Sequence, residues 1–114
     1  MKTKQISTFL EHAKKELQRY NSTKKVIHLQ QMGEKIWNAF NYLLERISNK
    51  EIWTHAQIYT TAHNLKDKDI DELGQRADYL HKFFYEGSGD DFYIKKSYYE
   101  AIKLFKKIIK KYKI

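Results

Sequence analysis

The sequence predicts an all-α protein: an antiparallel up-and-down bundle of four main helices plus one short helix, forming a single domain over residues 1–114. Three observations carry this expectation. The chain has no proline and only four glycines, too few turn-formers for the closely spaced turns of an all-β domain. Apolar residues recur at intervals of three and four over most of its length. The breaks between these stretches are short, and short connections between long helices make antiparallel neighbours.

The first helix is expected over residues 4–20, where Ile6, Phe9, Leu10, Ala13 and Leu17 share a face opposite Glu11, Lys14, Lys15 and Gln18. Asn21, Ser22 and Thr23 then favour a turn and an N-cap. A second helix follows over 23–48, with the stripe Val26, Leu29, Gly33, Ile36, Trp37, Phe40, Leu44 and Ile47. Gly33 in that stripe costs about 1 kcal/mol of helix propensity relative to alanine, which close approach of a neighbouring helix would offset. The stretch 51–64 has thinner periodicity and predicts a shorter helix. Asp69, with Glu72 three residues on, reads as the capping box of a fourth helix that buries Ile70, Leu73, Ala77, Leu80 and Phe84. Gly87, Ser88 and Gly89 end it, and Asp90 or Asp91 caps the last helix. That helix carries Ile94, Tyr98, Ala101, Ile102, Phe105, Ile108, Ile109 and Tyr112 on its buried side.

Composition excludes several classes. Without cysteine there is no disulfide framework, thiolate zinc site or cysteine nucleophile. With 41% hydrophobic and 15% aromatic residues the chain can bury a core, so the 32% of charged residues does not imply disorder. Apolar runs are too short to span a bilayer, and the N-terminal MKTKQISTFLEHAKKE is broken by charge too early for a signal peptide. A cytoplasmic protein with no membrane association is expected.

The sharpest local chemistry lies in QRADYLHKFFYEG. Arg76 is permanently charged and can fork onto a phosphate, while His81 can move protons near neutrality. Such a pair suffices for metal-independent RNA cleavage: histidine activates the 2′-hydroxyl or protonates the leaving oxygen, and arginine stabilises charge on the phosphorane. Five residues along a helix turn through about 140°, so the two side chains flank the Leu73–Leu80–Phe84 stripe on opposite sides. A composite site then needs a groove, most simply one made by a two-fold dimer. The opening of Asp67-Lys68-Asp69-Ile70-Asp71 is not a calcium loop, because the sixth and twelfth positions hold Glu72 and Asp78 where glycine and glutamate are needed. His12, His28, His55 and His63 have no metal-ligand spacing and read as polar residues at helix edges. No phosphate-binding glycine loop or nucleophile elbow is present, and no cofactor is expected.

The segment ADYLHKFFYEG, together with EKIWNAF at positions 34–40, resembles the archaeal PaREP-type family within the HEPN superfamily of small helical-bundle proteins. The resemblance covers roughly residues 10–110 and is most specific at Leu80, His81, Phe84, Tyr85 and Glu86. In HEPN ribonucleases an arginine is followed four to six residues later by a histidine, a pattern that Arg76 and His81 match with four residues between. Ala77 follows the arginine where active members commonly carry a polar residue. The resemblance implies a homodimer with both pairs at a shared cleft, Arg76 and His81 as catalytic residues, and Tyr85 as a supporting phenol. It also implies a role of the toxin–antitoxin or defence kind, or a nucleotidyltransferase-type protein partner. Non-catalytic HEPN proteins make a helical interaction module the alternative.

Charge suggests a further possibility. The net charge is +8, but it is uneven. Residues 91–114 hold eight lysines against Asp91 and Glu100, whereas residues 62–91 hold four basic and eight acidic groups. Lys95, Lys96, Lys103, Lys106, Lys107, Lys110 and Lys111 line one side of the last helix as a candidate nucleic-acid-binding face, and the same lysines also suit a solvated helix C-terminus.

Overall fold

The computed structural model describes residues 2–87 and 89–114, and every regular element among them is helical. The order is α1 (Lys2–Thr23), α2 (Val26–Ser48), α3 (His55–Asn64), α4 (Lys68–Glu86) and α5 (Asp91–Lys111). The radius of gyration is 13.4 Å, against about 13 Å for a compact chain of this length.

Local chemistry sets most of the boundaries. After α1, Lys24 turns through φ 59°, its amide donating to the Tyr20 carbonyl at 2.7 Å. Asn49 ends α2 in the left-handed region, which short polar side chains tolerate. The third helix begins at His55 rather than 51, because Thr54 and Gln57 form a reciprocal capping box that fixes its start. In α4 the cap is Asp67, not Asp69: its carboxylate accepts from the amides of Asp69 and Ile70. Asp69 and Asp71 instead lie in the first turn, where they suit the helix dipole. Gly87, at φ 68°, closes α4 by donating to the Phe83 carbonyl at 2.8 Å. Ser88 of that turn lies outside the described residues. Asp90 caps α5 by accepting from the Phe92 amide at 2.8 Å.

Helix α2 is the hub, packing on α1 and α4 and touching α3 and α5, while α4 also packs on α5. Met32, Ile36, Phe40, Leu43 and Leu44 of α2 are buried with Leu73 and Leu80 of α4 and Phe105 of α5. Each such side chain contributes about 1.5–3 kcal/mol relative to exposure. The expected stripes are corrected at three places: Phe83, not Phe84, is the fully buried phenylalanine of α4, and Val26 and Tyr112 stand exposed at helix ends. Tyr112 donates to Asp67 at 2.8 Å instead of packing inward. The expected close approach at Gly33 is real. A Cβ there would sit 2.5 Å from the Leu80 carbonyl oxygen, so only glycine lets α2 and α4 meet at this crossing. The backbones of α1 and α5 stand apart, linked by the Tyr20 hydroxyl donating to Asp91 at 3.2 Å. No helix among the described residues is long and apolar enough to cross a membrane.

Candidate functional site around His81

The Gly33 crossing puts the next residue of each helix, Glu34 and His81, side by side. His81 Nδ1 lies 3.5 Å from Glu34 Oε2, within ion-pair range but without hydrogen-bond geometry, so both buried atoms lack a hydrogen-bond partner. The His81 side chain is 8% exposed. It stacks on Trp37 with centroids 4.4 Å apart and planes at 14°. Two further rings meet it edge-on, His55 at 4.9 Å and 81° and Tyr85 at 4.9 Å and 88°. Tyr85 reaches His81 because residues four apart share a helix face.

Helix α3 and the segment before it complete the surround. Glu45, buried near the end of α2, accepts from the Ile52 amide at 2.7 Å. Gln57 Oε1 accepts from the Trp53 amide at 2.6 Å and the Thr54 amide at 3.0 Å. These bonds pin the segment that delivers Trp53 and His55 to the pocket mouth. Tyr59 of α3 donates to Asp78 of α4, tying the two helices together. The resulting pocket has a volume of about 220 Å³ and is bounded by Glu34, Trp37, Asn38, Asn41, Trp53, His55, His81 and Tyr85, with Ile52, Thr54 and Ile58. Asn41 Oδ1 is a third buried polar atom in it without a partner.

Burial lowers the His81 pKa below its ordinary 6.5, and the neighbouring His55 lowers it further, while Glu34 opposes them without prevailing. The neutral form of His81 therefore predominates at pH 7, and a neutral imidazole keeps one ring nitrogen able to accept a proton. Among the described residues, no group of three or more His, Cys, Asp or Glu is placed to hold a metal ion.

Arg76 lies elsewhere. Its Nη2 is 2.8 Å from Glu100 Oε2 of α5 and 3.9 Å from Glu72, on the flank of α4 opposite the one His81 faces. Within one chain the structure brings His81 and Tyr85 together and leaves Arg76 out. The lysines are not one uniform face either. Lys107 pairs with Asp69 at 3.2 Å, and Lys111 pairs with Asp67 at 3.0 Å and Asp69 at 2.9 Å. Lys95 Nζ sits 5.1 Å above the Tyr20 ring. Lys96, Lys103, Lys106 and Lys110 project from α5, of which Lys106 borders a cavity of about 600 Å³ between α1 and α5. That cavity, with Leu10, Leu17, Tyr98 and Ile102 in its wall, is the space left where the two helices stand apart, and it contains neither Arg76 nor His81.

Glu34, Asn41, His55 and Trp53 are the site residues that sequence reasoning missed. One signal was present: Glu34, Trp37, Asn38 and Asn41 share a face of α2, a polar strip beside the apolar stripe. No family model, curated protein or solved structure significantly matches this chain.

Proposed function

We propose that this protein is a HEPN-like, RNA-associated protein acting as a metal-independent endoribonuclease of the toxin or defence kind, with His81 as its acid/base. The observation that carries the reading is a buried imidazole beside a second histidine in a polar pocket whose Glu34, Asn41 and His81 atoms lack hydrogen-bond partners. In the step this arrangement suits, His81 takes the 2′-hydroxyl proton and the 2′-oxygen bonds to phosphorus. The phosphorus–O5′ bond breaks as His55 delivers a proton to the leaving oxygen, yielding a 2′,3′-cyclic phosphate and a free 5′-hydroxyl. Glu34 supports the imidazolium that forms, and Tyr85 packs against its edge.

In this reading residues 1–114 form one antiparallel up-and-down bundle. Two links support the arrangement: Lys111 at the end of α5 meets Asp67 at the start of α4, and Tyr20 at the end of α1 meets Asp91 at the start of α5. Arg76 stabilises the phosphorane from a second copy of the chain, across a homodimer. The unpaired lysines Lys96, Lys103, Lys106 and Lys110 attract the strand. A nucleotidyltransferase-type protein is the partner the family resemblance adds.

RNA cleavage in the presence of a chelator tests the assignment. His81→Phe, which keeps the stack on Trp37, and His55→Ala are each expected to lower the rate by roughly 10²–10⁴-fold. Equal rates in parent and His81→Phe refute it. The second reading, a non-catalytic interaction module, is favoured by the engagement of Arg76 with Glu100. It predicts no chelator-resistant cleavage by any variant and a stable complex with a partner protein.

A further inference from the structure

We infer that Trp53 and Tyr85 form a stacking platform for unpaired nucleobases at the mouth of the His81 pocket, making single-stranded nucleic acid the ligand class. The inference deepens the proposed function and rests on it only for the strand being RNA. Trp53 is 79% exposed, the most exposed of the large hydrophobic side chains among the described residues, and Tyr85 is 70% exposed. Both border the pocket that holds His81. Left in water, an indole forgoes the gain from burial that the other tryptophan, Trp37 at 4% exposure, obtains.

The backbone at Trp53 is also held in place. Its amide and that of Thr54 are bound by Gln57 Oε1, and Ile52 beside it is tied to the buried Glu45 carboxylate. Little backbone ordering is therefore left to lose when a flat ligand stacks on the ring. Below the platform, Asn41 Oδ1 has no hydrogen-bond partner, and Glu34 Oε2 has only its ion-pair contact with His81, so the floor of the pocket is polar. Aromatic rings supply affinity by stacking on any base whose face is free. A duplex offers no free face, because its bases are stacked on one another. This separates the platform from the lysines of α5, which can attract phosphate from either form.

The test uses the full chain and a fluorescently labelled, uncleavable 2′-O-methyl RNA 12-mer of mixed sequence, with binding read by anisotropy so that no catalysis is required. Trp53→Ala is expected to weaken binding roughly five- to hundredfold, Tyr85→Ala to weaken it similarly, and Trp53→Phe to retain most of it. The same 12-mer annealed to its complement is expected to bind the parent far more weakly. A DNA 12-mer of the same sequence that binds as well as the RNA supports the platform and assigns any RNA preference to the chemistry at His81. Phe92→Ala, which removes an exposed ring at the start of α5, is expected to leave affinity unchanged. The inference is overturned by equal affinity of parent and Trp53→Ala, or by equal losses in Trp53→Ala and Phe92→Ala. It is also overturned by absence of oligonucleotide binding together with self-association that Trp53→Ala abolishes, which makes the patch a protein interface. Loss of stacking on Trp53→Ala stands whether or not His81 cleaves RNA, so the two proposals fail separately.

Discussion

Two charged clusters on α4 are built in opposite ways. At its start, the part-buried carboxylates of Asp67 and Asp69 together accept from two helix amides, the ammonium groups of Lys107 and Lys111, and the Tyr112 hydroxyl, the lysines themselves reaching solvent. In its second half, His81 meets Glu34 of α2 at ion-pair distance, and the two facing atoms have no hydrogen-bond partner. Hydrogen bonds from Lys111 and Lys107 hold the Asp69 pKa low, and the Lys111 ammonium is pushed up to about 12 chiefly by Asp69 and then Asp67. At Asp67, burial works upward, but the bonds from Lys111, Tyr112 and the helix amides outweigh it and lower the pKa. For His81 burial itself prevails and keeps the ring neutral. The first cluster spends its charge on joining helices. The second leaves polar capacity unused, and unused capacity in a pocket marks a place for a ligand.

The largest expected effect breaks the second cluster while sparing the first. Gly33→Val pushes side-chain carbon into the Leu80 carbonyl, so α2 and α4 must separate at the crossing that places Glu34 against His81. Denaturant unfolding should show a loss of roughly 1–3 kcal/mol or more. Any protein that folds should lose cleavage and the Trp37–His81 contact while retaining its helical content. Unchanged stability would mean that the crossing does not govern the site.

A smaller effect separates the clusters by pH. A histidine with a lowered folded pKa leaves the native state with fewer bound protons than the unfolded chain, so stability rises with pH from that value up to 6.5. Asp67 and Asp69, lowered from 3.8, contribute stability above that value that is lost as pH falls through their folded pKa values. Acid unfolding curves should therefore carry an upper component removed by His81→Phe and a lower one that survives it. In Trp53→Phe, Trp37 is the remaining tryptophan, and its emission should fall as His81 gains a proton below pH 6.5. Emission that titrates at or above 6.5 would contradict the neutral His81.

The smallest effect concerns Arg76. Its pair with Glu100 joins α4 to α5 with about a third of each side chain exposed, so a double-mutant cycle of Arg76→Ala and Glu100→Ala should give a coupling of only about 0.5–1 kcal/mol. Cleavage sharpens the comparison. If Arg76 serves a second copy's pocket, Arg76→Ala lowers the rate far more than this coupling, and a mixture of Arg76→Ala and His81→Phe chains regains activity through one intact composite site. No regain in the mixture argues against a shared cleft.

Legibility in the sequence followed the range of the interaction. The helices, and ends such as those at Gly87 and Asp90, could be read because caps, glycines and apolar periods act within a few residues. By contrast, the turn expected at Asn21, Ser22 and Thr23 belongs to α1, and the second helix starts at Val26. The start of α4 was misplaced by two residues because Asp67, Asp69 and Asp71 all suit a cap locally, and the turn after Leu65 decides among them. The site was half legible. His81 and Tyr85 stand one helical turn apart and could be paired from spacing, and the roughly 140° between Arg76 and His81 already put them on different flanks. Glu34 and Trp53 approach His81 from distant parts of the chain, and the polar strip of α2 marks a face without saying what that face meets.

By itself, then, the sequence determined an all-helical chain with a buried stripe on each long helix, a lysine-rich last helix and a histidine at the edge of the α4 stripe. Those follow from period, propensity and composition, which are local properties. Tertiary structure alone decided which lysines Asp67 and Asp69 take up, that Arg76 is held by Glu100, and that His81 lies neutral among Trp37, His55, Tyr85 and Glu34. The physical reason is that burial and neighbouring charge, which set a side chain's chemistry, depend on where the other helices pack.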